Sequence, residues 1–249
     1  MLAPAERDNH EGTMAHEALK RRLALAGKVL AAAGQGDFTR GHISVRLPET
    51  KSGKAPLFLM KPHSVGLDEI TAGNILTIDL DGHVVAGRAR RHSEVFIHSG
   101  IYRARPDVNC VIHSHPPYAV ALSGSGRPLR ALSQPAALFH NALGLYDDTI
   151  NLIRTPAMGA GVARALGPHR AVLMKNHGVA VAGETIEAAV VSAIMLENAA
   201  MIQLVSEAAG AAAAEFPDAD IATLKANIAK PEQFAINFDY LVRRLKSRR

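Results

Sequence analysis

The stretch CVIHSHPPYAV, residues 110–120, decides how this chain is read. An apolar run ends in His113, Ser114 and His115, and two prolines follow at once. In a strand, residues two apart point to one face and stand about 6.6 Å apart along the backbone. Both imidazoles therefore leave the same side of a strand end. Pro116 and Pro117 stop the strand and open a helix, where their missing N–H groups do no harm. Strand ends and loops are where an α/β scaffold displays functional groups.

Working outward, SEVFIHSGIYRAR (93–105) carries apolar residues at helical spacing, with Ser93 as expected N-cap and Glu94 in the first turn. RAVLMKNHGVAVAG (170–183) predicts strand, turn and strand, with His177 at the turn and Gly178 relieving the backbone there. NILTIDLDGHVVAG (74–87) predicts a hairpin about Asp81-Gly82. HISVRL (42–47) and LFLMK (57–61) are strands around a turn at PETKSGKAP (48–56), and residues 14–33 form an amphipathic helix. A long helix starts at Glu184 and an amphipathic one at about Pro231. The expected fold class is α/β: a single domain over 1–249, a central mixed or antiparallel sheet with helices on both sides, an N-terminal extension over 1–13 and a helical tail over about 231–249.

Composition narrows the function. The chain has 249 residues, 48% hydrophobic, enough for one large core. Cys110 is the single cysteine, so no intrachain disulfide forms and a reducing compartment is expected. The first residues lack the apolar segment of a secretory signal, and no apolar run reaches membrane-spanning length; a soluble, cytoplasmic protein without membrane contact is expected. The net charge is +5, but five of the 28 basic residues crowd into the final seven and aromatics are 4%. That pattern gives no nucleic-acid surface. GQGDFTRG (34–41) lacks the strand-before, helix-after context of a dinucleotide loop.

His113, His115 and His177 with Glu94 form a donor set that suits Zn²⁺ or Mn²⁺, with open positions for catalysis. Spacing alone leaves ligand and buried structural histidine as equal readings. The stretches DEITAGNILTIDLDGHVVAG (68–87), EVFIHSGIYRARPDVNCVIHSHPPYAVALS (94–123) and LMKNHGVAVAG (173–183) strongly resemble the class II aldolase and adducin-head family, over about Leu19 to Gln203. The resemblance implies that His113, His115 and His177 hold a divalent metal, and that Glu94 is the acid/base and an occasional ligand. It also implies a homotetramer with active sites between subunits. Non-catalytic adducin-like members usually lose ligands that this chain keeps, so the resemblance implies an enzyme rather than an interaction protein.

Sugar-phosphate aldolases of the family carry G-N-x-S, T-P-S-G and paired serines for the phosphate. Here His42 replaces the Asn, Lys61-Pro62-His63-Ser64 replaces the loop, and His92 replaces one serine before Ser93. Imidazoles and cations suit planar carboxylates. This pattern resembles the decarboxylase branch, which implies a carboxy-lyase for hydroxylated aromatic or pyridine dicarboxylates such as 3-hydroxy-2-methylpyridine-4,5-dicarboxylate. The carbanion left by carbon dioxide would be enolate-like and stabilised by the metal. A sugar-phosphate aldolase or epimerase is the first rival and an adducin-like interaction protein the second. Substrate contacts are expected from His42, Lys61, His63, Arg91, His92, Ser93 and Tyr240, the last as a C-terminal aromatic brought across a subunit interface. His98 and Tyr118 are expected to pack, and Cys110 to be inert core.

Overall fold

The computed structural model describes residues 4–48, 56–210 and 214–247. Eight strands form one sheet: β1 (His42–Arg46), β2 (Leu57–Met60), β3 (Leu76–Asp79), β4 (Val84–Ala86), β5 (Cys110–Ser114), β6 (Leu143–Tyr146), β7 (Ala171–Met174) and β8 (Gly178–Gly183). Their spatial order is β4-β3-β2-β1-β5-β8-β7-β6, antiparallel throughout except for the β6–β7 pair. The mixed sheet matches the expected class.

The helices are α1 (Pro4–Leu30), α2 (Val95–Ala104), α3 (Pro117–Gly124), α4 (Gln134–Ala137), α5 (Pro156–Leu166), α6 (Ile186–Ala208), α7 (Asp218–Ile228) and α8 (Pro231–Ser247). The sheet's period of two sorts them. Ile43, Val45, Cys110, Ile112, Val179 and Val181 face a core built with α1, α3, α6 and α8. Val111, Ala180, Ala182, Phe58 and Met60 face the opposite core, built with α2 and α5. Fully burying a side chain such as Ile97 or Leu196 contributes about 1.5–3 kcal/mol each, an upper estimate against a compact unfolded chain. Both faces of the central strands are buried, so register is tightly specified there.

Several boundaries differ from expectation. Helix α1 begins at Pro4 rather than at residue 14. It ends in a wider π turn over Ala31–Gln35, where Gly34 takes a left-handed φ of 78°. The turn expected at 48–56 falls largely outside the described residues. Glu94, not Ser93, is the N-cap of α2, with φ −94° and ψ 28°. The left-handed residue in the turn before β8 is Asn176 (φ 57°), a residue type that tolerates this region, rather than Gly178. Helix α6 is long and apolar enough to cross a membrane by length and composition, contrary to expectation, but more than half of its apolar window is buried against the rest of the chain.

Helices α2 and α5 meet at glycine. A Cβ on Gly159 would lie 2.1 Å from the Phe96 carbonyl oxygen, and one on Gly100 would lie 2.5 Å from the Gly159 oxygen. Neither backbone can give way, so this contact sets the helix separation. Gly159→Ala is expected to lower stability by about 1–3 kcal/mol, the usual range for overpacking. Urea denaturation reads this as a lower midpoint; an unchanged midpoint contradicts the glycine contact.

Candidate functional site

The register between strands brings the histidines together. His42 pairs with His113 across β1 and β5, and His113 pairs with Ala180 across β5 and β8. His177, one residue before β8, and His115, one residue after β5, therefore meet at the same sheet edge. One nitrogen from each of His113, His115 and His177 lies within 4.8 Å of the other two. Gly178 permits the approach: a Cβ there would stand 2.6 Å from the Ser114 oxygen and 2.8 Å from the His115 ring.

Hydrogen bonds decide which nitrogens are free. His113 Nδ1 lies 2.9 Å from the Val179 carbonyl oxygen, which can only accept, so Nδ1 carries the hydrogen and the lone pair sits on Nε2. That Nε2 is buried and has no hydrogen-bond partner. His115 Nδ1 stands 3.0 Å from Asp37 Oδ2, at ion-pair range though off the line of a well-formed hydrogen bond, which again turns Nε2 toward the site. Both ring nitrogens of His177 lack a partner. Buried polar atoms are nearly always paired, so this concentration of orphan nitrogens is a demand for an electrophile.

Glu94 faces them from the N-terminal end of α2. Its Oε1 accepts the Ile153 N–H at 2.9 Å and lies 3.5 Å from His177 Nε2; its Oε2 lies 3.8 Å from His113 Nε2. Donors sharing one tetrahedral ion at bond lengths near 2.1 Å stand about 3.4 Å apart. The distances from Glu94 to His113 and His177 are close to that, and the three imidazole nitrogens, within 4.8 Å of one another, are near enough to close on a divalent transition ion.

Burial dominates the electrostatics. It raises the Glu94 pKa, against the Ile153 N–H and the charge of Arg154, which lower it. It pushes His113 well below the ordinary histidine range, with the neighbouring imidazoles adding to the effect. His177 falls to about 4 through burial and then the charges of His115 and Arg40. Burial also lowers His115, opposed by Asp37. Neutral imidazoles are what a metal requires.

A cleft of about 430 Å³ opens onto this cluster, lined among others by Arg40, His63, His92, Ser93, Glu94 and Asn151. That size suits a small molecule. A groove of about 640 Å³ between α1 and α8 is larger but presents no comparable set of titratable groups. Of the expected substrate contacts, His63, His92 and Ser93 line the cleft. The other four lie outside its lining in this chain. The three ammonium donors of Lys61 are taken by the carbonyls of Thr39, Pro62 and Val65, so it braces the loop rather than presenting a donor to the cleft. Arg91 lies over the Phe96 ring and donates to the His92 carbonyl. His42 is fully buried behind the cleft wall. Tyr240 is half exposed on α8, its ring near Arg243 and Arg244, and is not part of the cleft of its own chain.

Sequence reasoning missed Asp37, Arg40 and Asn151. Asp37 and Arg40 lie in the loop set aside as a failed nucleotide motif, and they pair with each other at 2.7 Å. Only the β1–β5 pairing places that loop beside His115, and no local pattern encodes the pairing.

Residues 21–204 match the family described as Class II Aldolase and Adducin N-terminal domain, and the chain belongs to it. The 3,4-dihydroxyphthalate decarboxylase of Arthrobacter keyseri is 32% identical over 224 residues, 85% of this chain and 88% of that protein. Decarboxylase NovR of Streptomyces niveus is 35% identical over 195 residues, 77% and 71% of the two chains. The structure of L-fuculose 1-phosphate aldolase from Glaciozyma antarctica PI12 superposes with a TM-score of 0.82 at 26% identity, covering 95% of this chain and 91% of that one.

The depressed imidazoles predict acid sensitivity. His92 and His98 titrate at about 3 and His177 at about 4, all through burial first. Unfolded histidine takes up a proton near pH 6.5, while these stay neutral in the folded chain. Stability is therefore present above about pH 6.5 and is lost as pH falls toward about 4. The raised Glu94 pKa works in the opposite sense, but one carboxyl is outnumbered. For protein freed of divalent ions, the urea midpoint is expected to fall steadily between pH 7 and pH 4; a flat profile contradicts the burial of these rings as neutral groups.

Proposed function

We propose that this family member is a divalent-metal-dependent carboxy-lyase acting on a hydroxylated aromatic or pyridine dicarboxylate. The observation that carries the reading is a buried carboxylate, Glu94, facing three imidazoles with unpartnered nitrogens at the floor of a cleft whose wall bears further imidazoles. The kinship with decarboxylases at 32% and 35% identity supports it.

His113, His115 and His177 hold a divalent transition ion, Mn²⁺ or Zn²⁺, and Glu94 is close enough to join them when no substrate is present. Such an ion supplies Lewis acidity, drawing electron density from a carbon centre through an adjacent oxygen. The chain's own residues do the rest. Asp37 and the Val179 carbonyl orient His115 and His113. His63, His92 and Ser93 meet the carboxylates of the substrate, and Arg40 adds positive charge at the mouth. Glu94, its pKa lifted by burial, delivers a proton to the carbon that has lost carbon dioxide. The Ile153 N–H holds Oε1 of that carboxyl, leaving the other oxygen for proton transfer. In this reading the chain works as a cytoplasmic homotetramer in which Tyr240 serves the cleft of a neighbouring copy, and 3-hydroxy-2-methylpyridine-4,5-dicarboxylate is a representative substrate.

A sugar-phosphate aldolase is the second reading, favoured by the close superposition on L-fuculose 1-phosphate aldolase. Both reactions part a carbon–carbon bond and leave a carbanion beside an oxygen-bearing carbon, so one platform serves either. Purified protein supplied with Mn²⁺ or Zn²⁺ is expected to release carbon dioxide from hydroxylated aromatic dicarboxylates and no aldehyde from sugar phosphates; the reverse pattern establishes the second reading. Glu94→Gln is expected to keep the ion and slow turnover by about 10²–10⁴-fold, the span of general acid–base catalysis. His115→Ala is expected to lose the ion and turnover together. His92→Ser is expected to raise KM for carboxylate substrates, and unchanged kinetics remove it from the substrate contacts.

A further inference from the structure

Strand β1 and helix α2 meet along a line of buried polar side chains. His42 and Ser44 come from the strand, two residues apart, and His98 and Tyr102 come from the helix, four apart. His42 Nδ1 lies 2.6 Å from His98 Nε2, His98 Nδ1 lies 2.6 Å from Ser44 Oγ, and Ser44 Oγ lies 2.7 Å from Tyr102 Oη. Among the described residues Ser44 Oγ is the hydrogen-bond partner of the Tyr102 hydroxyl. Both rings are fully buried and neither is hydrogen-bonded to a carboxylate, so an imidazolium there is disfavoured and both are neutral.

A neutral imidazole donates through one nitrogen and accepts through the other, so the hydrogens on either side of His98 point in one sense. If His98 donates toward Ser44, one hydroxyl hydrogen is left without an acceptor: that of Tyr102 when Ser44 donates to it, or that of Ser44 when it accepts from both sides. If the hydrogens point from Tyr102 toward His42, every hydrogen is placed: Tyr102 O–H to Ser44, Ser44 O–H to His98 Nδ1, and His98 Nε2–H to His42 Nδ1. A buried hydroxyl hydrogen without an acceptor disfavours the first sense by about tenfold or more. The remaining hydrogen of His42 then lies on Nε2, a buried atom without a hydrogen-bond partner, 3.9 Å from Glu94 Oε2.

We propose that His42 is a positioning residue locked as the Nε2–H tautomer by Ser44 and His98, presenting a fixed N–H to Glu94 and ligating no ion. His42, His92 and Glu94 offer donor atoms within 4.8 Å of one another and would otherwise pass for a second cation site. A nitrogen that bears a hydrogen has no lone pair for a metal, so His42, His92 and Glu94 do not form a second ion site beside His113, His115 and His177. The placement of that ion and the task of Glu94 rest on the proposed function; the tautomer does not.

The test is ring-nitrogen NMR on full-length, ¹⁵N-histidine-labelled protein loaded with Zn²⁺, with His42 assigned by its loss in His42→Asn. The expected spectrum shows Nε2 of His42 as N–H and Nδ1 as a lone-pair nitrogen. Tyr102→Phe should leave this unchanged, because the Ser44 hydroxyl still donates into the row. Ser44→Ala should mix the two tautomers and lower kcat severalfold while leaving KM in place. A Zn²⁺ titration should reach one ion per chain. His42 carrying its hydrogen on Nδ1 in the unaltered protein, or a second ion whose binding shifts the His42 and His92 ring nitrogens, overturns the proposal, and the unaltered protein alone decides it if Ser44→Ala fails to fold. An Nε2–H tautomer and one ion per chain, without carbon dioxide release, would set aside the proposed function and leave this inference standing.

Discussion

Taking a carboxylate and several imidazoles out of water without pairing their polar atoms is unfavourable by several kcal/mol in total. Glu94 is 1% exposed, and His42 and His113 are fully buried. The sheet register compels this meeting, because β1, β5 and β8 cannot slip by one residue without turning their apolar side chains out of two cores. Everything else at the site answers to it. The Val179 carbonyl, Asp37 and the Ile153 N–H each satisfy one edge of a buried group and leave another edge facing a common point. Strain of this kind is retained in folds where a ligand relieves it.

The two faces of the central strands divide the labour. One face, with α1, α6 and α8, is apolar and supplies the larger core. The other, with α2 and α5, carries the row from His42 to Tyr102 within an otherwise apolar layer. Rigid glycine contact between α2 and α5 matters to the site because Glu94 begins the first of these helices, and the loop bearing Ile153 leads into the second. Core packing on this face therefore doubles as placement of the acid.

Much of this was legible in the sequence. The alternation around His113 and His115, the prolines after them and the turn at His177 follow from local rules of strand, helix and turn, and these elements form where expected. The convergence of His177 and Glu94 on that pair needed the family resemblance, since the pairing of distant strands has no local signature. Lys61 and Arg91 show a limit of sequence pattern: a cation near a pocket in sequence can spend donors on carbonyls or lie over a ring, and residue order does not encode which. The helix cap falls at Glu94 rather than Ser93 because the Glu94 backbone, at φ −94° and ψ 28°, is not yet helical. Asp37 has no local signature, because its loop reaches His115 only through the pairing of β1 with β5.

The account stands on three imidazoles sharing one divalent ion beside Glu94. Anomalous diffraction from crystals loaded with Mn²⁺ or Zn²⁺, recorded at the absorption edge of the ion, measures that directly. The expected map has one strong peak at about 2.0–2.2 Å from a nitrogen of each of His113, His115 and His177. A map with no peak there, or with its strongest peak held by other residues, contradicts it.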